Sequence, residues 1–358
     1  MHPDFVLQAR FVSYILCNRI MTMQKSIVSL FILVAIVLPL MVTGCSNSTS
    51  GSDEPDENTN EFRTSGWHNN QLITVNNTQR FYRYYIPDSL SSEQPPVVFF
   101  LHGGNQSMRK SMPPANNGSA AWPDVADKHG FILVVPNGTN PDTGNAAGDE
   151  QRWNDCRVNP TNVEVNDVEF IRTLMDWSAE NLDIDASRIF VSGTSNGGLM
   201  TFRAAIELPE KVAAAAPFIA NNPVRTECPP ASPMPIMITV GTEDPLIPFE
   251  GGEAAGSGTF VVSADSTRDF WVRLNGITSE PTVTTLPDIA PNDNSIVEEE
   301  IFQNTNGTLA VRYLRMVGAG HSVPSTSREL SRAAQSFLGP QNNDIEGAEQ
   351  AWQFMSQF

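Results

Sequence analysis

Basic residues are scarce in this sequence: 22 Lys and Arg stand against 40 Asp and Glu, a formal charge of -18. Contacts to nucleic-acid phosphates need clustered cations, and no cluster occurs, so nucleic-acid partners are excluded. Acidity of this kind serves solubility outside the cell more often than recognition of a basic partner. Cysteine is nearly absent, with four in 358 residues, too few and too scattered for a metal ligand set. Phosphate loops, dinucleotide fingerprints and zinc motifs are missing as well, and with them any sign of a cofactor or a metal. Internal repeats are absent. Histidine is scarce too, five in all, which shortens the search for a general base.

The composition that remains, 40% hydrophobic and 8% aromatic, suits one sizeable globular core once the apolar start is set aside. Lys25 precedes an apolar run over 27–42, which reads as a signal peptide with Met23 a candidate initiator. Val42-Thr43-Gly44-Cys45 resembles a bacterial lipobox, which implies lipidation of Cys45 and, with Ser46 following, sorting toward the outer membrane. A plain signal peptide or a short membrane anchor is the alternative. Residues 1–44 are therefore expected to be leader, 45–66 a lipidated, flexible tether too polar to bury anything, and 67–358 the catalytic domain. The protein is expected to be exported, as an outer-membrane or cell-surface lipoprotein or in secreted form, touching membrane only through Cys45. In an exported chain Cys156 and Cys228 invite one disulfide, two free buried thiols being the alternative.

Along 67–358 the pattern alternates. Residues 72–75 and 80–86 predict a β-hairpin around Asn76-Asn77, and 97–101 and 131–135 are uninterrupted apolar runs of strand length. Helices are expected over 121–129, closed by Gly130, and over 166–182, with Asn166 or Asp167 near the cap. Further strands are expected at 188–192, 212–220 and 236–240, with helices at 196–207 and 265–275. Residues 281–294 read as loop, 298–304 and 309–317 as antiparallel or edge strands, and Ile345, Ala348, Trp352, Met355 and Phe358 mark one face of a last helix. Strands alternating with helices predict an α/β class: a single domain with a mostly parallel central sheet flanked by helices.

The chemistry centres on Gly193-Thr194-Ser195-Asn196-Gly197. A serine hydroxyl is a poor nucleophile until a base removes its proton, so it must be presented on a sharp, accessible turn. Here an apolar strand run enters the pentapeptide and a helix-compatible run leaves it, the context that the Gly-x-Ser-x-Gly elbow requires. Ser195, Asp244 and His321 each follow a predicted strand, where open parallel sheets collect functional residues. His321 is the expected general base and Asp244 its orienting acid, with adjacent Glu243 the alternative acid. The oxyanion donors are expected to be the Asn196 amide and that of Gly104 or Asn105, in the loop after the 97–101 strand. Trp153, delivered by a polar loop, is expected either to stack on an acyl or sugar group or to be a buried anchor, and His102 to brace the loop at the substrate rather than to act as a base.

The segments His102-Gly103-Gly104, Arg152-Trp153-Asn154-Asp155, 166–171, 193–198, 241–252, Gly320-His321 and Trp352-Gln353-Phe354 together resemble one family. It is the polyhydroxybutyrate depolymerase and feruloyl/acetylxylan esterase group of α/β-hydrolases. The resemblance implies an α/β-hydrolase fold, Ser195 as nucleophile with Asp244 and His321 as partners, and a cofactor-free carboxylic ester hydrolase. Its substrates are esters, polymeric ones included: feruloyl or acetyl esters of plant polysaccharide, or hydroxyalkanoate polyester. After His321 the sequence departs from the family, with Ser322-Val323-Pro324 and a Ser/Arg-rich stretch before the last helix, which bears on the shape of the acyl pocket. A serine peptidase of the prolyl-oligopeptidase kind and a non-catalytic surface binding protein are the alternatives.

Overall fold

Five-residue apolar runs without polar alternation are stable as strands only when covered on both faces, and they make the centre of this structure. A computed structural model describes residues 61–155, 157, 165–224, 228–229, 231–254 and 257–358. The expected leader, Cys45 and most of the tether lie outside the described residues, as does Cys156. Strands β1 (Gly66–Val75), β2 (Thr78–Ile86), β3 (Val97–Leu101), β4 (Ile132–Pro136), β5 (Ile189–Thr194), β6 (Ala214–Phe218) and β7 (Ile236–Gly241) are followed by the short pair β8 (Gly252–Glu253) and β9 (Phe260–Val261), then by β10 (Thr282–Thr285), β11 (Ile296–Gln303) and β12 (Ala310–Val317). Ten of them form one sheet in the order β1-β2-β4-β3-β5-β6-β7-β12-β11-β10. From β4 to β12 every pairing is parallel, while β1, β2, β10 and β11 add antiparallel edges.

The helices are α1 (Trp122–His129), α2 (Asp167–Asn181), α3 (Asn196–Glu207), α4 (Ala264–Leu274), α5 (Arg332–Leu338) and α6 (Gly347–Met355). Alternate side chains of β3 fall into two cores. Val97, Phe99 and Leu101 pack with residues of α2, α3 and α4. Val98 and Phe100 pack with residues of α1 and α6. The strand period of two thus produces a three-layer fold with helices on both faces. Asn166 caps α2 by accepting the Glu169 amide at 3.0 Å, and Gly130 closes α1 in the left-handed conformation, φ 70°.

Two expectations are corrected. Strand β10 lies inside the segment 281–294 expected to be loop: all four of its residues are exposed, so it pairs with β11 through backbone alone and shows no apolar face. Helix α5 lies in the Ser/Arg-rich stretch, has no buried residue and therefore no apolar period to read, although Ser331 caps it by accepting the Ala334 amide at 3.2 Å. Among the described residues no helix is long and apolar enough to cross a membrane.

The α6 face fixes the helix to the sheet through Trp352, whose ring stacks on Phe131 at 4.2 Å and meets Phe190 edge-on at 6.0 Å. Trp352→Ala is expected to cost about 3–5 kcal/mol of unfolding free energy. Urea unfolding measures it; a loss under about 1 kcal/mol would remove Trp352 from the core's main supports.

Candidate active site

A single residue, Ser195, makes the turn between β5 and α3, with φ 57° and ψ -119°. A positive φ at a non-glycine residue is strained and persists only where the surroundings impose it. Here they do. A Cβ on Gly197 would lie 2.1 Å from the Leu101 carbonyl oxygen, and one on Gly193 2.4 Å from the Gly197 oxygen, so glycine at both places lets three stretches of backbone meet. The Ser195 amide donates to the Phe218 carbonyl at 3.0 Å, which ties the turn to β6. The chain leaves β3 for β4 on one side and returns to β5 on the other, so Ser195 sits at the switch point of the sheet, where α/β folds open a crevice.

The acid and the histidine arrive on the loops after β7 and β12. His321 Nδ1 donates to Asp244 Oδ2 at 2.7 Å, which leaves Nε2 as the acceptor of the neutral ring. The other Asp244 oxygen accepts the amides of Leu246 and Ile247, each at 2.8 Å. Both side chains are buried, whereas Glu243 is exposed; between the two candidate acids, Asp244 is the one bonded to the imidazole. The two loops also hold each other: the Glu243 amide donates to Ala319 O at 2.9 Å and the Gly318 amide to Thr242 Oγ1 at 2.9 Å. The His321 amide donates to the carbonyl of Leu338, the last residue of α5. Helix α5, absent from the sequence analysis, therefore supports the histidine.

Gly104 backs onto α3, a Cβ there lying 3.5 Å from Asn196 Cβ. The Asn196 amide belongs to the first residue of α3, where a helix has no acceptor of its own. Asn105 is a correction to the expected oxyanion donors: its amide is committed to the Gln151 carbonyl at 2.9 Å, because the loop turns there through φ 58°. Gly104 stands as the candidate on that loop.

Trp153 and His102 are corrected as substrate contacts, since both are fully buried. Trp153 is the anchor: its Nε1 donates to the His102 carbonyl at 2.9 Å and the two rings lie 4.8 Å apart. His102 donates from Nδ1 to Gly103 O at 2.8 Å and accepts the Gly138 amide on Nε2 at 3.0 Å, bracing the loop as a neutral ring. Burial pushes its pKa down to about 4, with Arg80 also lowering it against the contrary effect of the Gly103 carbonyl. Asp167 is the first residue of α2, next to the Asn166 cap as expected, and is buried, accepting from Arg80 Nη2 at 2.7 Å and from the Asn154 amide at 2.8 Å.

Ser195, Asn196, Gly104 and His321 line one cavity of about 660 Å³. Its lining mixes polar side chains, among them Asn116, Asn117, Ser119, Arg152 and Arg157, with apolar ones, among them Ile219, Leu246, Ile247, Val323 and Phe337. Cys228 is disulfide-bonded, and its expected partner Cys156 lies outside the described residues. Among the described residues no group of three His, Cys, Asp or Glu side chains is set to hold a metal ion.

A parallel-centred sheet, a serine at the strand-to-helix turn of its central strand, and an acid and a histidine on later strand ends in that chain order define the α/β-hydrolase fold. Comparison with known proteins agrees: residues 88–261 match the phospholipase/carboxylesterase family. The chain is similar to feruloyl esterase B of Piromyces equi, 31% identical over 48% of this chain and 31% of that one. It is also similar to the bifunctional acetylxylan esterase/xylanase of Neocallimastix patriciarum, 28% identical over 46% of this chain and 22% of that one. Poly(3-hydroxyalkanoate) depolymerase C of Paucimonas lemoignei is 24% identical over 67% of this chain and 58% of its own length. The chain spans less than two thirds of each of these three relatives.

The neutral His102 gives the site a pH signature. Its pKa is depressed in the fold, so its contribution to stability is complete above the unfolded value near 6.5 and is lost as pH falls toward about 4. In that window unfolding takes up this one proton, a slope of up to about 1.4 kcal/mol per pH unit. Urea unfolding from pH 7 to 4.5 should be less steep in pH for His102→Asn than for the unchanged chain. Equal slopes would mean that His102 is not held neutral.

Proposed function

We propose that this protein is a serine carboxylic ester hydrolase acting through an acyl-enzyme. The observation that carries the reading is the 2.7 Å bond between Asp244 and His321, a histidine that lines the same cavity as the strained Ser195. In this reading Ser195 Oγ attacks the ester carbonyl carbon and its proton passes to His321 Nε2. The carbonyl oxygen becomes an oxyanion, received by the amides of Asn196 and Gly104. As the tetrahedral intermediate collapses, His321 returns the proton to the departing alcohol, and the acyl group stays on Ser195 as an ester. Water, deprotonated by the same imidazole, then attacks that ester and releases the acid and the serine. Asp244 holds the tautomer and balances the imidazolium.

The relatives named feruloyl and acetylxylan esterases support acyl esters of plant polysaccharide as substrates. The mixed lining supports the same choice, since such an ester joins an apolar acyl group to a polar alcohol and uses both kinds of contact. A hydroxyalkanoate polyester is the second reading, favoured by Phe337, an aromatic side chain 67% exposed on the cavity wall where a polymer surface would meet it. The reading includes export, with lipidation of Cys45, a tether over 45–66, a catalytic domain over 67–358 and a disulfide between Cys156 and Cys228.

Turnover of p-nitrophenyl acetate and butyrate by the purified chain is expected, with a loss on the order of 10³-fold or more in kcat for Ser195→Ala. An unchanged rate in that variant ends the proposal. Methyl ferulate and acetylated xylan as substrates would favour polysaccharide esters; preferential cleavage of short hydroxybutyrate oligomers would favour the polyester.

A further inference from the structure

The segment from Gln151 to Arg157 reaches both places from which an oxyanion would be stabilised. Toward the β3 loop, Trp153 Nε1 donates to His102 O at 2.9 Å and the Gln151 carbonyl accepts the Asn105 amide at 2.9 Å. Toward α3, the Trp153 amide donates to Asn196 Oδ1 at 2.8 Å, while Asn196 Nδ2 donates to Trp153 O at 3.1 Å and to Asp155 Oδ2 at 2.5 Å. The Asn196 side chain is thereby engaged at its oxygen and twice at its nitrogen, which fixes the first residue of α3 against rotation.

Asp155 is the unusual member. Its carboxylate has no exposed surface, so it cannot touch substrate. It stands one side chain away from the place where negative charge would develop, and a buried carboxylate there would oppose that charge unless balanced. Arg157 balances it with a two-pronged contact, Nε to Oδ1 at 2.9 Å and Nη2 to Oδ2 at 2.9 Å, and is itself held by Thr259 Oγ1, 3.0 Å from Nη1.

We propose that Asp155 is a positioning residue for acyl transfer: through the Asn196 side chain it aims the Asn196 amide at the oxyanion, and Arg157 cancels the charge that it would otherwise set against the transition state. This rests on the ester-hydrolase reading, from which it is separable by experiment. The full chain and its variants are assayed on p-nitrophenyl acetate and titrated with a trifluoromethyl ketone, which adds to Ser195 as a tetrahedral oxyanion mimic.

Asp155→Asn is expected to lower kcat about 10- to 100-fold with KM within about twofold, and to weaken ketone binding by the same factor as kcat/KM. Arg157→Gln, which leaves the carboxylate unbalanced, should be slower than the double variant Asp155→Asn/Arg157→Gln. That recovery reads the unbalanced buried charge itself; ketone affinity that falls in step with kcat/KM in the folded variants is what a purely structural role would not produce. The proposal is overturned if Asp155→Asn keeps kcat/KM within about threefold of the unchanged chain, if ketone affinity does not follow kcat/KM, or if the double variant is no faster than Arg157→Gln. Should Asp155→Asn not fold, Arg157→Gln alone decides: kcat/KM and ketone affinity must fall by the same factor, and any other pattern refutes it. Absence of ester turnover and of fluorophosphonate labelling at Ser195 in the unchanged chain would instead refute the underlying reading.

Discussion

The contact on which the site depends is backbone against backbone, where the end of β3 meets the first turn of α3 with no side chain between them. At Gly197 the neighbouring Leu101 and His102 carbonyls stand so close that a single methyl group would collide with both. That approach forces Ser195 into its strained turn and sets α3's first amide beside Gly104. Two segments far apart in the chain thus come into contact, a Cβ on Gly104 lying 3.5 Å from Asn196 Cβ. The strain at Ser195 is tolerated because β5, β6 and α3, all buried, over-determine the turn from three sides.

The loops that complete the site follow β3, β4, β7 and β12, and polar groups hold them alongside buried side chains such as Trp153 and Ile247. Each uses a different device. The Asp244 loop folds on its own carboxylate through the Leu246 and Ile247 amides. The His102 loop is braced by a histidine kept neutral, its two ring nitrogens serving as one donor and one acceptor. The 151–157 segment rests on buried charge pairs, Arg80 with Asp167 below it and Arg157 with Asp155 within it. A chain so short of cations places two of its arginines in buried pairs beneath one loop. Removing a partner from such a pair costs far more than the pair contributes, which makes these positions sensitive out of proportion to their number.

The sequence was most legible where burial writes a period. The central strands, α2 with its Asn166 cap, the Ser195 turn and the last helix face are all visible as apolar runs, capping chemistry or glycine spacing, and the structure shifts their ends by only a few residues. It was illegible where structure is made by backbone alone: β10 pairs through exposed threonines, and α5 buries nothing. Within the site, residue type suggested Asp244 and His321 as partners, and the structure puts them in contact. It could not tell Gly104 from Asn105, because that depends on which amide the neighbouring Gln151 carbonyl takes. The brace expected of His102 and the anchor reading of Trp153 hold, and only the substrate contact expected of each fails. A large aromatic and a histidine beside a polar loop look like ligand contacts, yet both lie in the core, where their polar atoms serve the chain itself. Asp155 gave no signal of its own, since an Asp after an Asn in a loop is ordinary turn chemistry.

Helix α5 ties recognition to chemistry. It offers Ala334, Phe337 and Leu338 to the cavity and at the same time gives the Leu338 carbonyl to the His321 amide. Gly339 closes it at φ 82°, and a Cβ on Gly320 would lie 2.2 Å from the Leu338 oxygen, so helix end and histidine loop are in direct backbone contact. With no residue of α5 buried, little apolar burial holds it in place. Side chains of α5 that line the cavity can therefore change its shape at small cost to the fold. Any displacement of the helix axis, by contrast, is transmitted through one hydrogen bond to the imidazole. The lining of the cavity on this side and the backbone position of His321 thus depend on the same seven residues.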